Sequence, residues 1–271
     1  MTIDTHVHTW RCRHATGTVF EYIQEARRRG VIFLGFAEHL PLPSDLVAAD
    51  PYARSYAMPE SELALYASEV SAAKEEAGRH GLVVLLGVEA DLHPGNEDHV
   101  RRLLASVEVD FVLGSVHYLD GWAFDDPDRV DGYDRWSAED LWERYFDDLA
   151  HAARSGLADA IAHPDLIKKF GCRPKVPPDA LYELFAEAVA DAGVAVEIST
   201  AGLRKPCAEL YPSQDLLRAL RARKVPVTIG SDAHSPSEVA YAYDAAAAAA
   251  RGAGYRSAVV FRNRLAEEVP L

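Results

Sequence analysis

Apolar positions recur along the chain in two patterns that alternate with each other. Short runs rich in β-branched residues predict strands. These runs occupy 2–8, 31–39, 82–91, 110–118, 159–164, 194–200 and 225–234, with a weaker one at 256–262. Between them, apolar residues recur with the helical period at 19–29, 59–80, 96–106, 138–154, 179–192, 213–223 and 236–251. Strands that alternate with helices are typical of βαβ units around a parallel sheet.

The number of these units indicates how the sheet is arranged. Glycines follow predicted helices at Gly30, Gly81 and Gly193, and Ser137 and Ser213 precede helices as N-cap residues. Seven or eight βαβ units in 271 residues favour a closed α/β barrel over an open sheet. Neither a linker nor a shift in composition divides the chain, so we expect a single barrel domain over 1–271.

Residues that bind metals stand at the ends of the predicted strands. The relevant stretches are DTHVH, GFAEH, LGVEAD, GSVHY, IAHP and IGSDAH. In a parallel barrel the carboxyl ends of all strands lie on one face, so these residues converge there. Of the 11 histidines, seven lie at or just after strand ends. They are His6, His8, His14, His39, His117, His163 and His234.

The spacing within two of these strands favours chelation of one ion. Residues two apart on a strand point to the same side, so His6 and His8 can bind together. Asp232 and His234 repeat this spacing on a later strand. Asp4 shares the parity of His6, and we expect it to orient a histidine.

Other residues complete the predicted metal centre. Glu89 ends the third strand, where its carboxylate could bridge two ions, and His14 could fold back from the first loop. Imidazole and carboxylate ligands suit zinc, iron or manganese, and nine candidate ligands imply two or three ions. We place Asp91 and His93 outside the ligand set, and we do not expect Cys12 to bind metal as a thiolate.

Charge and composition limit the partners. The formal charge of −14 is expected to repel nucleic acid and anionic membranes. Three scattered cysteines form no disulfide framework, which fits a reducing cytoplasm. The N-terminus shows no secretion signal, and no apolar run is long enough to span a bilayer. We therefore expect a cytoplasmic protein; the sequence carries no signal for an oligomeric state.

At these residues the sequence resembles the polymerase-and-histidinol-phosphatase (PHP) superfamily, and within it the monofunctional histidinol-phosphatases. The similarity runs from end to end. The stretches that carry it are DTHVHTWRCRHATGT, FAEHLPLP, GVEADLHPG, GSVHYLDGWAFD, AIAHPDLIKKFG, EISTAGLRKPCAELYPS and GSDAHSP. One departure is Ala15, where the family usually has a glycine after its third histidine.

The resemblance implies a distorted TIM-like (β/α)7 barrel with a trinuclear metal site at the carboxyl ends of the strands. Its ligand sets, carried over motif by motif, form three groups. These are His6, His8, Glu89 and Asp232; Glu89, His117 and His163; and His14, His39 and His234.

The implied reaction is hydrolysis of the phosphomonoester L-histidinol phosphate in histidine biosynthesis. A hydroxide that bridges two metal ions is the expected nucleophile. Arg204 and Lys205 follow the sixth strand and are candidates for binding the phosphate, with Lys168 and Lys169 as weaker candidates. The leaving group takes its proton from a metal-bound water or from Asp232.

Two alternatives remain open at this stage. A related phosphoesterase could act on another phosphomonoester or on a nucleotide, and a barrel of this kind could merely store metal. Glu209, Tyr118 and Trp122 are candidates for contacting the amine and imidazole of the substrate.

Overall fold

The computed structural model describes residues 1–50 and 52–271. Its strands, in chain order, are β1 (Thr2–Val7), β2 (Val31–His39), β3 (Val83–Asp91), β4 (Phe111–Ser115), β5 (Tyr118–Leu119), β6 (Trp122–Ala123), β7 (Ala160–Ile161), β8 (Ala195–Ser199), β9 (Val227–Gly230), β10 (Ser257–Arg262) and β11 (Leu265–Pro270). Seven of them form one sheet in the order β1-β2-β3-β4-β7-β8-β9. Every pair of neighbours within this sheet is parallel.

The sheet curves until its first and last strands meet. Val7 forms a parallel bridge with Ala233, and the amide of His8 donates a hydrogen bond to the Ala233 carbonyl over 2.9 Å. Ile3, Leu113 and Ile229, from three strands of this sheet, belong to one buried apolar cluster. The expected seven-stranded TIM-like barrel is thereby confirmed.

The helices lie on the outside of the barrel. They are α1 (Val19–Arg28), α2 (Ser44–Ala49), α3 (Glu60–Gly78), α4 (Glu97–Leu104), α5 (Ala138–Arg154), α6 (Asp179–Ala192), α7 (Gln214–Ala222) and α8 (Tyr243–Ala253). Thr18 and Glu21 form a reciprocal capping box at the start of α1. Among the described residues, none of the helices has both the length and the apolar composition needed to cross a bilayer.

Six short 3-10 helices lie in the connections. They are Trp10–Cys12, Tyr52–Ser55, Pro127–Arg135, Leu166–Lys168, Ala201–Arg204 and Pro236–Glu238.

The last predicted helix, 236–251, is wrong from residue 236 to residue 242. A single 3-10 turn at Pro236–Glu238 precedes a break, and α8 begins only at Tyr243. Ala240 and Ala242 adopt left-handed backbone angles, with φ of 51° and 49°. The break lets the amide of Ala240 donate to Asp4 Oδ2 over 2.6 Å. A long-range hydrogen bond to a buried carboxylate therefore outweighs the local helical pattern.

The weak strand predicted at 256–262 is present, but it lies outside the barrel sheet. As β10 it pairs antiparallel with β11, which the sequence analysis did not predict. The hairpin buries Val259 and Phe261 in the apolar cluster that contains Ile3 and Leu113. Its turn is attached to the barrel by Arg264, whose amide donates to the Asp110 carbonyl over 2.8 Å.

Candidate metal centre

All nine residues predicted as ligands lie at one end of the barrel. His39 ends β2, Glu89 lies near the end of β3, and His163 follows β7 by two residues. The remaining six lie on or just after β1, β4 and β9; they are His6, His8, His14, His117, Asp232 and His234. Each parallel strand delivers its last residues to this rim, which is why positions remote in sequence meet there.

Glu89 occupies the middle of the cluster, and its two oxygens face different histidines. Oε2 lies 3.0 Å from His39 Nδ1 and 3.3 Å from His6 Nε2. Oε1 lies 2.8 Å from His163 Nε2 and 3.6 Å from His117 Nε2. A buried carboxylate with nitrogen ligands on both sides has the geometry to bridge two cations.

The first group joins β1 to the residues after β9. His6 Nε2 and His8 Nε2 are 3.0 Å apart, and Asp232 Oδ1 lies 3.2 Å from His8 Nε2. The ligand atoms of these three residues lie within 4.8 Å of one another. Asp232 adopts a left-handed φ of 50°, a conformation that aspartate tolerates better than most residues.

The second group consists of Glu89, His117 and His163. Their ligand atoms also lie within 4.8 Å of one another, and all three side chains are buried. His163 has a φ of 26°, so its backbone is held in an unfavourable region at the strand end. Such strain concentrates at functional sites because the surrounding structure enforces it.

The third group is arranged differently from the set that the resemblance implies. His14 Nε2 and His234 Nε2 are 2.8 Å apart, as that set requires. His39, however, turns its Nδ1 towards Glu89, and its ring centroid lies 5.3 Å from that of His14. In the described residues His39 forms a compact group with His8 and His234 instead.

The electrostatics at Glu89 and His234 fit bound cations. Burial opposes ionisation of Glu89, yet His39 and His6 hold the pKa of its carboxyl well below the usual value. Burial and the nearby His8 lower the pKa of His234 well below its usual value, which leaves the neutral imidazole that metals bind. Pairs of imidazole Nε2 atoms that face each other at about hydrogen-bond distance also match a shared cation.

A carboxylate that the sequence analysis missed orients His6. Glu197 Oε1 lies 2.8 Å from His6 Nδ1, and its Oε2 accepts a hydrogen bond from the His163 amide over 2.9 Å. Asp4 contacts no imidazole among the described residues. It accepts hydrogen bonds from the amide and hydroxyl of Ser231, from the Ala240 amide and, over 3.4 Å, from the amide of His6, so its support for that histidine is through the backbone. The sequence did carry a signal for Glu197, since it is an acidic residue in the middle of the apolar strand β8.

His117 has two supports on its Nδ1 atom. Asp91 Oδ2 lies 3.0 Å from it, and the hydroxyl of Tyr56 lies 2.5 Å from it. Asp91 follows Glu89 by two residues, so the two side chains point to the same side of β3, and this spacing could have drawn attention to Asp91. The sequence analysis left Asp91 out of the ligand set, and its contacts show a supporting position beside a ligand.

Two further buried residues lie beside His8. Glu38 accepts hydrogen bonds from the amide and hydroxyl of Thr9 over 2.6 and 2.5 Å, and its Oε2 lies 3.8 Å from His8 Nδ1. Cys12 donates its thiol to the Thr9 carbonyl over 3.3 Å. Burial and the nearby Glu38 raise the pKa of this thiol, so it stays protonated.

The two residues predicted to bind phosphate differ in their surroundings: Arg204 is bonded to neighbouring groups of the protein, whereas Lys205 lines the cavity. Arg204 donates from Nη2 to the carbonyls of Ser231 and Asp232 over 2.9 and 3.0 Å, and its Nε lies 3.3 Å from Glu238. Only Nη1 has no partner among the described residues. Lys205 lines the cavity at the cluster, where burial and the nearby Lys169 lower its pKa.

Lys168 and Lys169, the weaker candidates for binding phosphate, differ in the same way: one is bonded within the fold and the other lines the cavity. Lys168 is fully buried and donates to Asp165 over 2.9 Å and to the Leu210 carbonyl over 2.8 Å, so it stabilises the fold. Lys169 lines the cavity beside Asp125.

A cavity of about 400 Å³ opens over the cluster. Glu209, Tyr118 and Trp122, the candidates for contacting the rest of the substrate, are not among its described lining residues. Glu209 pairs with Arg173 over 2.8 Å, and both aromatic side chains are buried in the packing around the barrel. The lining does include Tyr52, Tyr56, Asp125 and Asp126.

Fold and site together define a class of protein. An α/β barrel that gathers imidazoles and carboxylates at the carboxyl ends of its strands has the architecture of a barrel metalloenzyme. The model of the PHP domain family matches residues 4–201 of this chain. The chain belongs to the PHP domain family.

Similar proteins extend this result over the whole length. A protein of Deinococcus radiodurans named "Probable histidinol-phosphatase" is 44% identical over 263 residues, which cover 96% of each chain. The histidinol-phosphatase of Bacillus subtilis is 30% identical, over 89% of this chain and 97% of its own.

A solved structure has the same fold. Histidinol phosphate phosphatase from Lactococcus lactis, crystallised with zinc, L-histidinol and phosphate, superposes with a TM-score of 0.83. The match covers 98% of both chains at 18% sequence identity.

Proposed function

We propose that this protein is a metal-dependent histidinol-phosphatase, which hydrolyses L-histidinol phosphate to L-histidinol and inorganic phosphate. The observation that carries the proposal is the similarity to the Deinococcus protein, which is 44% identical over 263 residues and covers 96% of each chain. We further propose that residues 1–271 work as a single barrel domain on a small-molecule substrate.

The nine side chains are the proposed ligands of three divalent ions, with zinc, iron and manganese as candidates. One ion would be held around His6, His8 and Asp232, and a second around His117 and His163, with Glu89 between them. A third would lie by His234, shared with His14 and the group formed by His8 and His39. Such ions, when bound, lower the pKa of a coordinated water and neutralise charge on the phosphoryl oxygens.

Asp232 is the proposed catalytic carboxylate. Both Asp232 and Glu89 line the cavity, but the side chain of Asp232 is 17% exposed, compared with 1% for Glu89, so Asp232 is the more accessible of the two. Burial opposes its ionisation, but His6 and His234 hold the pKa of Asp232 well below its usual value. The ionised carboxylate can therefore accept a proton from the attacking water and pass it to the leaving alkoxide.

Arg204 and Lys205 are the proposed phosphate-binding cations. Lys205 reaches the cavity and has no ionic partner within the described residues. Arg204 can contribute only Nη1, because its other nitrogens already bind carbonyl groups and Glu238. Arg204 would therefore make one hydrogen bond to the phosphate rather than the bidentate pair that arginine commonly forms.

A panel of phosphomonoesters tests the substrate. With metal-loaded protein, kcat/KM for L-histidinol phosphate should exceed that for nucleotides and sugar phosphates. A higher value for a nucleotide would replace this proposal with its alternative, a phosphoesterase of other specificity. Several more distant relatives, such as one of Tolumonas auensis at 27% identity, are named "Probable phosphatase". These names give no particular substrate, which is why the panel includes other phosphomonoesters.

Replacement of Asp232 tests whether the cluster is catalytic rather than a metal store. Asp232→Ala should lower kcat by at least about a hundredfold, because it removes both a ligand and a proton acceptor. Asp215→Ala, on the exposed face of α7, is the matched control and should leave kcat unchanged. Full turnover by Asp232→Ala would contradict the catalytic role.

A further inference from the structure

Asp125 lies beside the metal cluster, and the proposed hydrolysis gives its carboxylate no role. It follows β6 by two residues and lines the cavity that also contains His117, His163 and Lys205. Its side chain is only 12% exposed. It belongs to none of the compact groups of ligand atoms found among the described residues.

The charge of Asp125 is incompletely compensated by the protein. Lys169 donates mainly to the main-chain oxygen of Asp125, over 2.6 Å, and lies 3.3 Å from Oδ2. Oδ1 has no partner among the described residues. Burial would raise the pKa of Asp125, but Lys169 and His117 outweigh it, so the group stays ionised. A buried carboxylate with one long contact favours another positive group beside it.

The neighbouring carboxylate shows what a satisfied group looks like in the same cavity. Asp126 Oδ1 accepts a hydrogen bond from the Asp128 amide over 2.9 Å, and its Oδ2 lies 3.3 Å from Arg129 Nε. Both oxygens of Asp126 therefore have partners. Of the two, Asp125 is the one with a carboxylate oxygen that lacks a partner among the described residues.

The cavity carries charge of both signs. Lys205 supplies positive charge that no described carboxylate pairs with, and Asp125 supplies negative charge close to Tyr52 and brings an oxygen, Oδ1, that has no partner among the described residues. A ligand with an anionic end and a cationic end would place each beside the opposite charge.

We propose that Asp125 binds the primary ammonium group of the phosphomonoester substrate and so selects esters of amino alcohols. The inference rests on the proposed function and specifies how the same site recognises the alcohol part of its substrate. The ammonium would share the carboxylate with Lys169.

Two pairs of substrates test the inference with metal-loaded protein. The first pair is L-histidinol phosphate and its deaminated analogue, and the second is phosphoethanolamine and ethyl phosphate. The unmodified protein should prefer the amine-bearing member of each pair by about tenfold or more in kcat/KM, the value of a hydrogen bond to a charged group. Asp125→Asn should reduce this preference to about unity, mainly by raising KM for the amine-bearing ester.

Asp126→Asn is the matched control, because it alters a carboxylate in the same cavity whose oxygens are already paired. It should keep the preference for the amine. Metal content is measured for every variant, and turnover of the deaminated substrates reports that the protein has folded. If Asp125→Asn does not fold, Asp125→Ser provides the same comparison.

Three results would overturn the inference. The first is a preference for the amine that survives in Asp125→Asn. The second is an equal loss on both members of a pair, with or without loss of metal, which would make Asp125 a support for Lys169 or for an ion. The third is an unmodified protein that is indifferent to the amine. If nucleotides are the better substrates while the second pair still shows a preference that depends on Asp125, only the proposed function fails.

Discussion

Buried carboxylates orient two imidazoles of the cluster. Glu197 contacts Nδ1 of His6, and Asp91 contacts Nδ1 of His117. In both cases Nε2 is left to face Glu89. A carboxylate on the far nitrogen fixes the tautomer of a ligand histidine and raises its basicity. The precision of the cluster therefore depends on residues that are not ligands themselves.

Glu197→Gln tests this dependence. The amide keeps the shape of the side chain but removes the charge that orients His6, so metal affinity should fall by about 10–100-fold. Competition with a chelator, followed by elemental analysis, measures the affinity, and excess metal should restore much of the activity. Glu187→Gln on α6 is the control, because its long contact with Arg223 lies at the surface. Unchanged affinity in Glu197→Gln would show that His6 needs no such partner.

The sequence predicted ligands well and their supports poorly. His39 and Glu89 could be recognised because each ends an apolar run, and all strand ends of a barrel share one rim. Glu197 and Asp125 could not be assigned in this way. Their partners, His6 and Lys169, are remote in sequence, and only the closed barrel brings each pair into contact.

At the scale of single elements, close packing between strands and rings limits which residues fit. Gly87 lies on β3 directly against the ring of Phe111 on β4. A Cβ atom at this position would lie 2.3 Å from the ring, much closer than van der Waals contact allows. The absence of a side chain at Gly87 thus lets Phe111 fill the barrel interior.

Gly87→Ala should lower the free energy of unfolding by about 1–3 kcal/mol, because the extra methyl overpacks the core. The same substitution at Gly78, the last residue of α3, meets open space at an ordinary helical position. Gly78→Ala should be neutral or stabilise the protein by up to about 1 kcal/mol. Urea unfolding of both variants makes the comparison, and equal effects would contradict this account of β3.

Helical periodicity failed where tertiary contacts competed with it. The alanine-rich stretch predicted as part of 236–251 forms α8 only from Tyr243, because Ala240 turns its amide to Asp4. Elsewhere, the cap at Ser213 and the stop at Gly193 follow local chemistry, and both were predicted from the sequence. Local sequence signals determine where a helix begins and ends when no buried carboxylate needs a hydrogen bond from its backbone amides.

At the scale of the whole molecule, the two ends of the barrel have different roles. The carboxyl ends of the strands hold the metal cluster and its cavity. The β10–β11 hairpin packs Phe261 into the apolar cluster that contains Ile3 and Leu113, and its turn is bonded to Asp110 at the amino end of β4, away from the site. In α/β barrels, substitutions away from the carboxyl-end face affect stability more than chemistry.

Phe261→Ala should therefore lower the free energy of unfolding by about 3–5 kcal/mol while kcat of the folded fraction stays unchanged. Leu265→Ala in the same hairpin is the control, since that side chain is 71% exposed. Its effect should remain within about 0.5 kcal/mol. A proportionate fall in kcat at saturating metal and substrate would show that the hairpin acts on the site.

The most direct test of the metal centre is a titration of activity against bound metal. Protein stripped by exhaustive chelation should release no phosphate from L-histidinol phosphate. Activity should then return as zinc or manganese is added, and it should saturate when the bound ions reach the number that the nine ligands hold. Elemental analysis of the same samples gives the number of ions per chain. Undiminished hydrolysis by protein shown to contain no metal would contradict the account.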